Sequence, residues 1–267
     1  MTDSLAKLLI ANGLQPDSFT SSDFSGDILR GEIPAGRIVP TWTNLAGGFP
    51  ETKYWPIIRG GLDDVYDEPR RDVAEILAAV PLGGIREILR PRMLERMTTY
   101  EELLPELTET SDMDQFASLA DAAGIFSFGG RKQDELKWPS EAPDRVTFHT
   151  LQERKGKPVV LLLIRAEHPS HMPAYLDFGG WNDAPAPEMQ VAVLREWKNE
   201  YRALPACITD GVIECVVVKP PQTQAEALKL AAEQWIFCDD IVGQGTQSVR
   251  NLAMEIWRSP NWFFWWD

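Results

Sequence analysis

The sequence predicts an α+β protein, a mixed and largely antiparallel sheet packed by helices, with a helical insert in the N-terminal half. Three observations carry that prediction. Lys157 to Arg165 is a continuous apolar run, the pattern of a strand buried on both faces and therefore central. Asp210-Gly211, between Ala206–Thr209 and Val212–Val218, is a two-residue turn that sets an antiparallel hairpin. Val73, Ile76, Leu77 and Val80, then Ile85, Ile88, Leu89 and Leu94, recur at helical spacing.

Taken in order, Asp3 or Ser4 caps a helix through Leu5, Leu8, Leu9 and Ile10 that stops at Asn12-Gly13. After a turn-rich stretch, Arg37–Trp42 and Tyr54–Ile58 read as short strands, each with a proline suited to an edge or a strand start, and Gly47-Gly48-Phe49-Pro50 turns between them. In the helical insert Glu68, Arg70, Arg71, Glu87, Arg90, Arg92, Glu95 and Arg96 mix signs, as a wet helix face does. An acidic loop is expected at Glu101–Thr110, a helix at Asp112–Ala123 ending on Gly124, and a polar connector from Gly129 to Pro143.

Val146–Thr150 and Lys157–Arg165 follow as strands joined near Lys155-Gly156. A helix is expected from Pro187 to Ala203, with Met189, Ala192, Val193, Trp197 and Tyr201 inward. Thr223 and Glu226 form a capping box ahead of the next helix, and another runs through Val249, Leu252, Ala253, Ile256 and Trp257. The aromatic ending, Trp262-Phe263-Phe264-Trp265-Trp266, demands burial and is expected as a final strand inserted in the sheet.

The chain has 267 residues, 44% of them apolar, enough for a sizeable core in one large domain or two packed ones. We divide it into residues 1–144, an N-terminal α+β region that either belongs to the same folded body or forms a partner-facing half, and residues 145–267. The net charge of −14 argues against nucleic acid, since phosphate contacts need clustered Lys and Arg, and leaves a basic protein as a partner. Cys207, Cys215 and Cys238 lack CxxC spacing, which signals neither a disulfide framework nor structural zinc. Met1–Gly13 lacks a basic stretch followed by an apolar one, and Pro158–Ile164 is too short to span a bilayer, so a soluble, cytoplasmic protein without a membrane partner is expected.

Phe178-Gly179-Gly180-Trp181-Asn182, then Pro185-Ala186-Pro187-Glu188, then Asp239 to Thr246, and the ending Ser259 to Asp267 together resemble the bacterial family called domain of unknown function 4253. The resemblance covers roughly residues 158–267. It implies a bacterial cytoplasmic domain and a fold, and no activity.

Two polar loops hold the candidate site residues. Paired glycines and flanking prolines fix the shape of the first, so Trp181, Asn182, Asp183 and Glu188 are candidates for ligand or partner contact beside the start of a helix. Asp239, Asp240, Gln244 and Thr246 are candidates in the second. The same side chains also suit helix capping and loop bracing, and both readings stand. Asp239 and Asp240 are carboxylates of the kind that hold a hard cation such as Mg²⁺, but no spaced third carboxylate completes such a site, so no metal is assigned, and no cofactor motif, Walker A, GxGxxG or G-x-S-x-G, occurs. His168 and His171 are read as surface loop residues because Pro169 separates them, and His149 as part of a strand. No catalytic residue is assigned. The reading this favours is a non-enzymatic, protein-binding role in the manner of acidic immunity proteins that inhibit a cognate toxin. The alternative is a domain or enzyme for a small molecule, anionic or neutral, held between residues 178–188 and 239–246.

Overall fold

The computed structural model of the protein describes residues 1–22, 25–61, 71–100, 110–126, 137–143, 145–152 and 156–267. Glu68, Arg70, the expected acidic loop short of Thr110, residues 129–136 of the expected connector and Lys155 lie outside the described residues.

Helix α1 (Asp3–Ala11) is capped one residue earlier than expected, by the Thr2 hydroxyl accepting from Leu5 N. Strands β1 (Thr20–Ser22) and β2 (Ser25–Ile33) follow in what reads as a turn-rich stretch. Charged residues break the apolar alternation of β2. The Phe19 ring lies where a Gly31 side chain would be, so a glycine that looks like a breaker serves close packing.

Residues 37–42 are not a strand. Helix α2 (Ile38–Gly47) buries Ile38, Thr41, Trp42 and Leu45, a stripe of helical period that outweighs the β-branched composition. Pro40 stands in the first turn, where its missing N–H has no helical acceptor to satisfy. The Gly47–Pro50 turn is a joint into α3 (Phe49–Thr52). Strand β3 (Tyr54–Gly61) is internal rather than an edge. Its registered pairing with β5 is confined to Ile58–Cys207, and the Pro56 carbonyl accepts from Trp42 Nε1 at 2.9 Å, so the proline costs the sheet little.

The insert is helical: α4 (Val73–Ala78), α5 (Ile85–Tyr100) and α6 (Met113–Ala123), the last capped by Asp112 and stopped by a left-handed Gly124. The strand expected at 146–150 is replaced by α7 (His149–Gln152). Glu214, buried on a strand beneath it, accepts from the amides of His149 and Thr150 at 2.6 and 2.9 Å, which fixes a helix start there.

Strand β4 (Val159–Arg165) lies between β2 and β3, antiparallel to both and buried from Val159 to Ile164. After α8 (Met172–Tyr175) come α9 (Pro187–Tyr201), the hairpin of β5 (Ala203–Thr209) and β6 (Val212–Val217), α10 (Gln224–Phe237) with its capping box, α11 (Val249–Ile256) and β7 (Asn261–Trp265). The sheet has the order β1-β2-β4-β3-β5-β6-β7, antiparallel except where β3 meets β5. The fold is therefore α+β, with one mixed, mostly antiparallel sheet. Strand β7 is an edge, beside β6 and not beside the central β4, yet Trp262 and Phe264 are buried on one face of it against Trp197 of α9.

Candidate functional site

The first polar loop, residues 176–186, is braced from within. Gly179 has φ of 117°, and a side-chain carbon there would lie 2.0 Å from Pro185 O, so backbone stands where a side chain would be. Gln190, buried on α9, donates Nε2 to Phe178 O at 3.2 Å and Pro185 O at 2.8 Å, and Ala184 N donates to Trp181 O at 2.9 Å. Asn182 sits at the tip of this turn with φ of 46°, a conformation asparagine tolerates better than most residues.

The second segment leaves α10 at Cys238. Trp235 Nε1 donates to Asp239 Oδ1 at 2.7 Å, and residues Ile241–Thr246 wind into a wide π-type turn before Ser248 caps α11. Gln244 Nε2 donates to Asp240 Oδ1 at 3.1 Å.

Two connections bring the loops together. Arg96 Nη2 meets Asp183 Oδ2 at 2.8 Å while its Nη1 stands 3.5 Å from Asp239 Oδ1, so one guanidinium joins a carboxylate from each loop. Arg92, one turn earlier on α5, meets Asp183 Oδ1 at 2.8 Å and also donates to Asp183 O. The second connection is Asp267: its amide donates to Asp240 Oδ2 at 3.1 Å, and its main-chain oxygen accepts from Asn182 Nδ2.

The wet-face reading of α5 fails at these two arginines, whose side chains are only 11% and 8% exposed. They stand four apart and flank the buried Ile88, Leu89, Met93 and Met97, so the helical spacing itself carried the signal. Both also donate to Ile236 O at the end of α10. Burial alone lowers the Arg96 guanidinium, and Asp239 with Asp183 brings it above its ordinary value. For Arg92 burial wins, and the neighbouring Arg96 charge adds to the lowering. Tyr100, whose hydroxyl lies 3.5 Å from Asp239 Oδ2, is pushed up to about 12 by burial and then by that carboxylate.

Of the eight candidate residues, Asn182, Asp183, Asp239, Asp240 and Gln244 therefore belong to one hydrogen-bonded and ion-paired assembly. Trp181 packs edge-on against Phe178 at 4.9 Å. Glu188 pairs instead with Arg71 at 3.2 Å, which also holds Asp177 at 3.0 Å. Thr246 turns toward the start of α11, where its hydroxyl donates to Ser248 O at 3.0 Å.

A cavity of about 390 Å³ opens on the other side of the second segment, between it, α11 and β7. Thr246 is the one candidate residue that lines it, together with Ile241, Leu252, Glu255, Phe263 and His149, whose ring lies 4.9 Å from that of Phe263. His149 belongs to α7, not to a strand.

His168 and His171 do come together, with ring centroids 5.6 Å apart, because Pro169 begins a short 3-10 turn that His168 caps. Burial lowers His168 to about 4, and lowers His171 as well, so both imidazoles are neutral near pH 7. They are half-buried rather than free loop residues. All three cysteines are buried thiols, and burial raises Cys215 and Cys238.

Among the described residues no helix is long and apolar enough to cross a membrane, and no group of three or more His, Cys, Asp or Glu stands as a metal site. No curated protein and no solved structure matches the chain. The model of the family described as Domain of unknown function (DUF4253) matches residues 160–267, the C-terminal part of the chain, which holds both loops, α11 and β7.

Proposed function

We propose that this protein acts by binding another protein, without catalysis of its own, as an acidic immunity-type inhibitor of a basic toxin does in the bacterial cytoplasm. The observation that carries the reading is the pair of half-exposed aromatic side chains, Phe263 and Trp265, on the sheet's edge strand beside the cavity. Large rings at a rim of this kind are the usual anchors of protein interfaces. Trp257, with Arg258 stacked 4.4 Å above it, adds a second such pair just beyond α11. The net charge of −14 favours a basic partner and repels nucleic acid. The polar groups of the two loops point the same way, because they are engaged with one another as a brace that holds this end of the molecule rigid.

The experiment is genetic and then calorimetric. A toxin gene beside this one, whose product is neutralised by coexpression and binds the purified protein stoichiometrically, supports the reading. Turnover of a small molecule, or its tight retention with no protein partner, overturns it. The cavity favours that second reading, a small-molecule site, since the imidazole of His149, the carboxylate of Glu255 and the polar side chains of Gln234 and Thr246 share its wall with aromatic and aliphatic groups.

A further inference from the structure

Strand β7 turns its outer edge toward the cavity. Trp266 N donates to Gly211 O at 2.9 Å and Val217 N to Pro260 O at 2.8 Å, which fixes the hydrogen-bond phase of the β6–β7 ladder. In an antiparallel pair the main-chain groups of alternate residues face opposite sides, so those of Asn261, Phe263 and Trp265 face away from β6. One of these positions is closed and another is half closed. The Asn261 amide and carbonyl are both held by the Ser259 hydroxyl, and Trp265 O accepts from Cys238 Sγ at 3.1 Å. The Phe263 N–H, the Phe263 C=O and the Trp265 N–H are left, and no hydrogen bond from them to any described residue accompanies the sheet ladder. These groups border the cavity of about 390 Å³, whose wall also bears Glu255 on α11. An unpaired strand edge is a template for another chain, and here it is open over two residues only, with ends blocked by Ser259 and Cys238.

We propose that the groove beside β7 receives an extended, basic segment of the partner protein, which pairs with Phe263 and Trp265 as a short added strand and sets a Lys or Arg side chain against Glu255. The inference rests on the protein-binding reading and adds its mode. Main-chain pairing supplies affinity with little sequence demand, while the side chains that alternate into the groove supply selectivity. The Glu255 carboxylate on the cavity wall selects for a cation, in keeping with the charge of −14 on the whole chain.

The test uses the full chain, ¹⁵N-labelled, with a blocked peptide of alternating valine and lysine at up to about 1 mM, the weak end of useful affinities. Hydrogen exchange at the Phe263 and Trp265 amides is expected to slow with occupancy, by about twofold where the dissociation constant equals the peptide concentration and by about tenfold where it is about a tenth of it. The same peptide N-methylated at alternate amides is expected to lose binding. Glu255→Gln is expected to weaken the lysine peptide several-fold and to leave a valine–serine peptide unchanged. Equal binding of the N-methylated peptide, or unchanged exchange at both amides, overturns the proposal. A cognate protein that binds while those amides exchange as before overturns the groove but leaves the protein-binding reading intact. A small molecule that fills the cavity and is turned over removes both.

Discussion

Glu233 sets a carboxyl in the core with one of its oxygens not hydrogen-bonded. Its side chain is fully buried on α10, Oε2 accepts from Trp197 Nε1 at 3.4 Å, and Oε1 lies 3.7 Å from Arg86 Nε without a hydrogen bond. Burial is the largest effect and pushes the carboxyl up to about 7. The sign follows from linkage: at pH 4 the carboxyl is largely protonated in both states, whereas between pH 4.5 and 7 the unfolded chain releases the proton and the folded chain keeps it. Stability from this group therefore falls as pH rises through that window, by about 3 kcal/mol at 1.36 kcal/mol per pH unit. Glu233→Gln should abolish that loss, so denaturant midpoints of the two proteins should diverge from pH 4.5 to about 7.5 with the variant the more stable. Parallel midpoints would show the carboxyl already ionised in the fold. At the loops the expectation is the reverse, since the groups there are paired. Asp183→Asn leaves Arg92 and Arg96 without their shared charge and should cost about 2 kcal/mol, less than a fully buried pair because Asp183 is 36% exposed. Asn182→Ala loses its bond to Asp267 and Gln244→Ala its exposed bond to Asp240, and each should move stability by about 1 kcal/mol or less. A cost of about 2 kcal/mol or more at either would mark a tighter brace than these contacts describe.

At the scale of elements, β7 and the helices behind it form one aromatic unit. Trp197 of α9 stacks on Phe264 at 5.3 Å and meets Trp262 edge-on at 5.7 Å, while Phe237 of α10 meets Phe264 at 5.4 Å and Trp266 at 5.5 Å. Phe264→Ala should cost about 3 to 5 kcal/mol by opening a cavity at the centre of this cluster. Deleting residues 262–267 should abolish cooperative unfolding and the near-ultraviolet circular dichroism that fixed tryptophans give. A truncated protein that melts as sharply and as high as the full chain would show the cluster to be dispensable. The sequence made much of this unit legible, because so many large rings cannot stay in water and because the apolar run of β4, the Asp210-Gly211 turn and the Thr223–Glu226 capping box are local signals. What it hid was decided by distant partners. Ile38–Trp42 has strand composition, yet its stripe of helical period packs where Trp42 reaches Pro56 O, and Arg92 and Arg96, though spaced along a buried helical face, have their partners Asp183 and Asp239 far along the chain. Strand β2 escaped for the same reason, being held by β4 rather than by its own alternation.

For the whole molecule the governing quantity is charge. The two polar loops meet where arginines of the insert, the C-terminal strand and the end of α10 converge, so local pairing there stands against a net charge of −14 on the chain as a whole. Unpaired carboxylates on the surface repel one another across solvent, and that repulsion is screened by salt, whereas the Arg96 pairs are largely enclosed and screened far less. Raising ionic strength from about 0.01 M to 0.15 M shortens the screening length from about 30 Å to about 8 Å, which removes most of the long-range repulsion and leaves the short pairs nearly intact. Relief of about 1 kcal/mol raises the melting temperature of a chain this size by about 2 to 4 °C. Scanning calorimetry across that salt range should therefore show a melting temperature that rises and then levels off, with a smaller rise in a variant whose exposed carboxylates are amidated. A melting temperature that falls with salt would mean that exposed ion pairs outweigh the net charge. The loop brace would then be open to solvent ions, against the burial of Arg92 and Arg96 on which its rigidity depends.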